Sequence, residues 1–200
     1  MIANFKRYID ELVEVGHFVS DDFIEHELAK ELLKVAKQMK ANNLFKPAKI
    51  GKGFTHQRQE NIRGDLTAWV DEKDSKAIAR YREHILNFSR EINRDLFLNL
   101  KSFECHFSFY PIGTFYKKHM DQFQGTSTRQ LSCILYLNES YHEADGGELI
   151  IYDKKDPNKI EKIIRPQFNR FSCFLTESLP HEVKICHKER FALTGWVRND

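Results

Sequence analysis

The sequence predicts a mostly β fold with flanking helices: a double-sheet jelly roll (double-stranded β-helix) core packed against N-terminal helices. Three observations carry this. Helical periodicity dominates the first half, the texture changes to about eight short strands from residue 103 onward, and turn chemistry separates those strands. The predicted strands are 104–110, 115–121, 131–137, 148–152, 160–165, 170–175, 182–187 and 190–197. Between them lie the polar run Gln122 to Ser127 with Gly125, then Asp145-Gly146-Gly147 and Asp156-Pro157-Asn158.

The helical half reads in order. Residues 2–15 place Ile2, Phe5, Ile9, Leu12 and Val13 on one face, with Gly16 as the stop. Ser20-Asp21-Asp22 offers an N-cap, with Glu25 completing a capping box behind Asp22. The helix opened there buries Phe23, Ile24, Leu28, Leu32, Val35, Ala36 and Met39 and fades at Asn42-Asn43. Ser75 begins the longest helical pattern, with Ile78, Tyr81, Arg82, Ile85, Leu86, Phe88, Ile92 and Leu96 in phase. Between these helices, residues 46–65 carry Gly51, Gly53 and Gly64 in a polar stretch without periodicity. That stretch predicts a long loop or loose hairpin, either a binding lid or a surface excursion. No repeat or linker divides the chain, so one domain is expected over 1–200, with helical support at 1–98 and the jelly-roll core at about 100–198.

Composition narrows the function classes. Hydrophobic content of 41% and sixteen Phe specify a folded chain rather than a disordered one. A net charge of +2, without a basic block, gives no phosphate-tracking groove, so nucleic acid is not an expected partner. Cys105, Cys133, Cys173 and Cys186 lie far apart and match no CxxC metal pattern. They read as small buried hydrophobes. Lys6, Arg7, Asp10, Glu11 and Glu14 interrupt any apolar leader, and no run reaches membrane-spanning length. The expectation is a soluble, reduced, cytoplasmic protein.

The chemistry centres on YPIGTFYKKHMDQF, residues 110–123. In an extended strand residues i and i+2 share a face, so His119 and Asp121 converge while Met120 turns away. His181, on a distant strand in FLTESLPHEV, supplies a third ligand type. Two imidazoles and a carboxylate make the facial triad of non-haem Fe(II) oxygenases, and the same set also holds catalytic zinc. Arg190 opens RFALTGW, where Arg190, Ala192, Thr194 and Trp196 share one face. An inward guanidinium beside a hydroxyl suits a dicarboxylate that reaches metal at one end and forms a bidentate pair at the other. In RQLSCILYLN, Tyr136 shares parity with Ser132 and Ile134, so it either packs in the core or reaches that same carboxylate.

With these residues in place, the chain resembles the 2-oxoglutarate- and Fe(II)-dependent dioxygenases of the prolyl 4-hydroxylase type. Within that group it is most similar to the hypoxia-inducible-factor prolyl hydroxylases and their bacterial counterparts. IRGDLTAW, YPIGTFYKKHMD, RQLSCILYLN, GGELIIY, LPHEV and RFALTGW run in the family's order over about residues 60–197. The resemblance implies Fe(II) ligation by His119, Asp121 and His181, and 2-oxoglutarate contacts from Arg190, Tyr136 and Thr194, with Tyr110 near the site. It places Arg63, Asp65, Arg129 and Trp69 on the substrate side and makes 46–65 a substrate loop. It further implies O2 as cosubstrate, ascorbate as reductant, and a proline-containing intracellular protein as substrate, with elongation factor Tu as an example for a bacterial-type member. The products would be succinate and CO2. The alternatives are the same chemistry on a ribosomal protein, another residue or a small molecule, and a metal-binding jelly-roll module without turnover. A zinc hydrolase would leave Arg190 and Thr194 without a purpose. YPIGTFY is one residue shorter than its animal equivalent, and the first 45 residues match no motif of the family.

Overall fold

The computed structural model describes residues 5–48, 61–121, 128–177 and 179–200. Three α-helices occupy the first half: α1 (Lys6–Val15), α2 (His26–Ala41) and α3 (Lys76–Leu96). The strands are β1 (His17–Ser20), β2 (Lys46–Pro47), β3 (Leu66–Val70), β4 (Ser102–Tyr110), β5 (Tyr116–His119), β6 (Arg129–Tyr136), β7 (Leu149–Tyr152), β8 (Ile160–Ile164), β9 (Phe171–Leu175), β10 (His181–Val183) and β11 (Arg190–Arg198). They form an antiparallel sheet in the order β1-β9-β6-β11-β4-β3-β2 and a smaller one in the order β5-β10-β7-β8. Together these are the two sheets of a jelly roll.

Strand parity decides what faces what. On β4, Phe103, Cys105, Phe107 and Phe109 join the helices in one core, as do Leu131, Cys133 and Leu135 of β6 and Phe191, Leu193 and Val197 of β11. The alternate residues turn to the smaller sheet, where Tyr110, Ile134, Tyr136 and Ala192 meet Leu149, Ile151 and Val183 in a second core. Much of the chain's Phe content lies in the helix-side core, where Phe23 stacks on Phe171 with centroids 4.2 Å apart. Fully burying each such ring is worth about 1.5–3 kcal/mol. The four cysteines are free and buried.

Local signals explain most of the boundaries. Gly16 takes φ 79° and its N–H reaches Leu12, ending α1 in the left-handed turn that glycine tolerates best. Ser75 caps α3 by accepting a hydrogen bond from the Ile78 N–H at 3.1 Å.

Other expectations are corrected. Helix α2 begins at His26, after an N-cap Glu25 that makes no side-chain cap bond. Asp22 instead accepts from Arg7, Tyr8 and Ser20, so the expected box is spent on tying α1 to β1. Val13 is 60% exposed, because the apolar arc of α1 is covered only at Tyr8, Ile9 and Leu12. Strands β1, β2 and β3 were not expected, and β10 is three residues rather than six. Lys46–Pro47 pairs with β3 as a sheet edge. The remainder of the anticipated lid, 49–60, and the turn at 122–127 lie outside the described residues. No described helix is long and apolar enough to cross a membrane.

Candidate functional site

The site forms where β5 and β10 meet. His119 is the last residue of β5 and pairs directly with His181, the first of β10. Asp121 follows two residues later with the same facing, and Met120 points out at 42% exposure. His119 Nε2 stands 3.5 Å from Asp121 Oδ1, and His181 Nε2 stands 3.7 Å from Oδ2. The three donor atoms lie within 4.8 Å of one another.

Both imidazoles are oriented in the same way. His119 Nδ1 donates to the Lys117 carbonyl at 2.8 Å, and His181 Nδ1 donates to the Leu179 carbonyl at 3.0 Å. A proton held on Nδ1 leaves the Nε2 lone pair directed at the shared point, the arrangement a metal-ligating histidine needs. Burial and the neighbouring His119 push the His181 pKa down to about 4, so its ring is neutral. Burial alone would raise the Asp121 carboxyl, but the two imidazoles and the Ser132 hydroxyl outweigh it and hold the group well below the carboxylate range. Two imidazoles and one carboxylate fit a divalent cation, and ferrous iron suits that donor set.

Supporting contacts fix the donors further. Trp196 Nε1–H donates to Asp121 Oδ2 at 2.9 Å, and the Ser132 hydroxyl donates to the same oxygen. Tyr116 stacks on His119 with centroids 3.5 Å apart, and the Arg63 guanidinium lies 4.2 Å over Tyr116. Burial pushes the Tyr116 hydroxyl up to about 12, so it stays protonated.

Arg190 opens β11 and is only 4% exposed. Its Nε–H donates to the Gly147 carbonyl at 2.9 Å, and its guanidinium lies 4.8 Å from the Tyr110 ring and 5.1 Å from the Tyr136 ring. Among the described residues no carboxylate lies within 4 Å of it. Thr194 accepts from the Ser108 hydroxyl at 3.2 Å. Arg190, Thr194 and Tyr110 line one cavity of about 1210 Å³ with His119, Asp121 and His181.

The substrate-side expectations divide. Arg63, Trp69 and Arg129 line that cavity, and Trp69 is 55% exposed. The Arg129 Nε–H donates to Glu104 at 2.7 Å, with the guanidinium 3.6 Å over Trp196. Asp65 does not line the cavity. Its carboxylate is fully buried and takes both arms of Arg63, at 2.7 and 2.6 Å. Tyr136 also lies behind the wall, wholly buried beneath Arg190 with its hydroxyl 3.4 Å from Ser172. The sequence analysis gave no role to His106, although parity with Tyr110 already put it on the site face. It assigned no role to Tyr116, Ser132 or Trp196.

Comparisons with known proteins agree with this geometry. Residues 105–198 match the family model of the 2OG-Fe(II) oxygenase superfamily. The chain is 29% identical over 209 residues to a hypoxia-inducible factor prolyl hydroxylase of Caenorhabditis elegans, covering 95% of this chain and 28% of that one. It is 26% identical to human Egl nine homolog 1, covering 90% of this chain and 43% of the relative. The chain thus spans less than half the length of these curated relatives. A prolyl hydroxylase structure from Trichoplax adhaerens, in complex with a hypoxia inducible factor peptide fragment, superposes with a TM-score of 0.84 at 25% identity over 97% of this chain and 88% of its own. A Pseudomonas putida prolyl-4-hydroxylase superposes with a TM-score of 0.88 at 32% identity, over 97% of this chain and 98% of its own. With that match running nearly end to end in both chains, the protein belongs to the 2OG-Fe(II) oxygenase superfamily, in its prolyl 4-hydroxylase branch.

Proposed function

We propose that the chain hydroxylates a prolyl residue of a protein, consuming 2-oxoglutarate and O2 and releasing succinate and CO2. One observation carries the reading. A buried guanidinium with no carboxylate partner among the described residues shares a cavity with three convergent metal donors. Burying such a charge unpaired is costly, so an anion that completes it is the economical explanation.

His119, Asp121 and His181 would hold Fe(II). Arg190 would take the far carboxylate of 2-oxoglutarate as a bidentate pair, with Thr194 donating a further hydrogen bond and Tyr110 walling the channel. Tyr136 would act from beneath, keeping the guanidinium flat. When bound, the iron and its cosubstrate supply the oxidising power that puts one oxygen atom of O2 into a C–H bond and the other into succinate. Arg63 and Trp69 would border the peptide, and Asp65 would hold Arg63 in place. The 46–65 segment would cover the peptide.

For the substrate we infer a proline in an intracellular, cytoplasmic protein, with a translation factor such as elongation factor Tu as the first to test. Support comes from the similarity to a bacterial prolyl-4-hydroxylase over nearly its full length. The test incubates purified protein with Fe(II), ascorbate, 2-oxoglutarate and cell lysate, then searches for peptides that gain one oxygen atom. Peptide-dependent succinate and a gain at proline are expected. Oxygen gained only at other residues or on small molecules would transfer the chemistry to another substrate class. Binding of 2-oxoglutarate without O2 uptake would mark a module without turnover.

A further inference from the structure

Both tryptophans of the chain stand on the cavity wall, and one histidine packs against each of them. His106 lies 4.8 Å from the Trp69 ring and 5.4 Å from the Trp196 ring, and it pairs in register with Trp69 on β3 and Thr194 on β11. It is 3% exposed. Its Nδ1 is enclosed without a hydrogen-bond partner, and among the described residues the ring makes no hydrogen bond at all. An enclosed polar atom left unpaired costs about 1–3 kcal/mol, and such an atom calls for an explanation.

Burial pushes the His106 pKa down to about 3, so the ring is neutral and carries one N–H and one lone pair. A proton on the enclosed Nδ1 would be a buried donor without an acceptor. The favourable tautomer therefore puts the proton on Nε2, the nitrogen left open on the cavity side. Thr194 stands opposite His106 in the β4–β11 ladder, whereas Arg190, which would take the far carboxylate, stands farther off. Arg190 pairs with Tyr110, four residues along β4 from His106, which is about 13 Å of extended strand. His106 belongs to the end walled by Trp69 and Trp196.

We propose that His106 is a specificity-determining residue whose Nε2–H donates to the backbone carbonyl preceding the target proline. This rests on the prolyl-hydroxylase reading and names how that site recognises its peptide. The bond before a proline has no N–H, so a carbonyl is the only backbone hydrogen-bonding group it offers. A neutral donor flanked by aromatic faces is matched to that group. The two cationic side chains nearby are already engaged, Arg63 by Asp65 and Arg129 by Glu104.

The test uses the full chain loaded with Fe(II) and 2-oxoglutarate under argon, where no turnover occurs. Peptide arrival is read from the fluorescence of Trp69 and Trp196. The probe is a capped peptide built on the sequence that gains oxygen in the lysate experiment. His106→Leu should weaken peptide binding about tenfold or more, while 2-oxoglutarate affinity moves less than twofold. His106→Gln, whose amide nitrogen reaches the Nε2 position, should stay within about threefold of the parent, and His106→Asn, which reaches only Nδ1, should resemble Leu. Equal peptide affinity in the Gln and Asn variants overturns the proposal, and this comparison remains if the Leu variant fails to fold. So does a proportional loss of peptide and 2-oxoglutarate affinity in the Leu variant, which would indicate a collapsed cavity. If no lysate peptide gains oxygen at proline, the parent reading has failed by its own measurement and the proposal falls with it.

Discussion

The Trp196 indole donates its N–H to Oδ2 of Asp121 across 2.9 Å, and the Ser132 hydroxyl donates to the same oxygen. Two donors on one carboxylate oxygen fix the group's rotation and leave Oδ1 turned toward His119 Nε2, 3.5 Å away. Outer contacts of this kind typically change metal affinity 10–100-fold. Trp196→Phe keeps the ring area and removes the N–H, so ferrous affinity should fall about tenfold. An anaerobic metal titration against a chelating dye measures this. Unchanged affinity would show that Ser132 alone orients the carboxylate.

Arg190 makes a prediction with opposite signs in two states. Without its anion the buried guanidinium is a liability, and with the anion it anchors the ligand. Arg190→Met should leave the melting temperature of the unliganded protein unchanged or raise it. Saturating 2-oxoglutarate should stabilise the parent by about 2.7 kcal/mol at a hundredfold excess over Kd, and the variant hardly at all. Thermal melts with and without 2-oxoglutarate measure both. Gly147 bears on the same group, since at φ 74° an added Cβ would sit 3.0 Å from Arg190 Cδ. Gly147→Ala should therefore raise the 2-oxoglutarate KM without touching any ligand-binding atom directly.

These two cases also show what a sequence can reveal. His119 and Asp121 were legible because period-2 spacing is local, and Arg190 and Thr194 were legible for the same reason. The Trp196–Asp121 bond was not, because 75 positions separate its ends and they come from different sheets, Trp196 beside Ser132 in the β11–β6 ladder and Asp121 just beyond β5. His181 could be named as a ligand type, yet its register opposite His119 depends on a β5–β10 ladder with a bulge. Local chemistry misled at Asp22, where a capping pattern is present but Arg7 and Tyr8 claim the carboxylate. Strand β1 escaped notice because four residues, three of them buried, show no alternation.

The Arg63–Asp65 pair fastens the polar segment ahead of β3 to the metal side of the fold. Gly64 N–H reaches the Phe115 carbonyl at 2.9 Å and Lys117 N–H reaches Ile62 at 2.8 Å, so residues 62–65 lie against β5. Burial opposes the Arg63 charge, yet the Asp65 carboxylate more than restores it and raises the pKa. Removing one member of a buried pair commonly costs about 3–5 kcal/mol, because the other is left uncompensated. Asp65→Ala should approach that loss in urea unfolding. The double variant Asp65→Ala with Arg63→Met should recover part of it, and a double variant no more stable than the single one would refute the coupling.

Acid sensitivity follows from the neutral histidines. His106 titrates at about 3 in the folded chain against about 6.5 when unfolded, so between those values the unfolded state binds a proton that the folded state refuses. Stability from this group is therefore complete above pH 6.5, declines as pH falls through the window, and stops declining near pH 3. The slope is about 1.4 kcal/mol per pH unit for one proton. His106→Gln removes the titration, so the stability lost on going from pH 7 to pH 5 should shrink by about 2 kcal/mol in metal-free protein. Urea midpoints of parent and variant at both pH values measure the difference. His17 and His84, also lowered by burial, stay in both proteins and cancel from the comparison. An equally steep decline in the variant would mean that His106 is protonated in the folded state, and the neutral donor assigned to it would be lost.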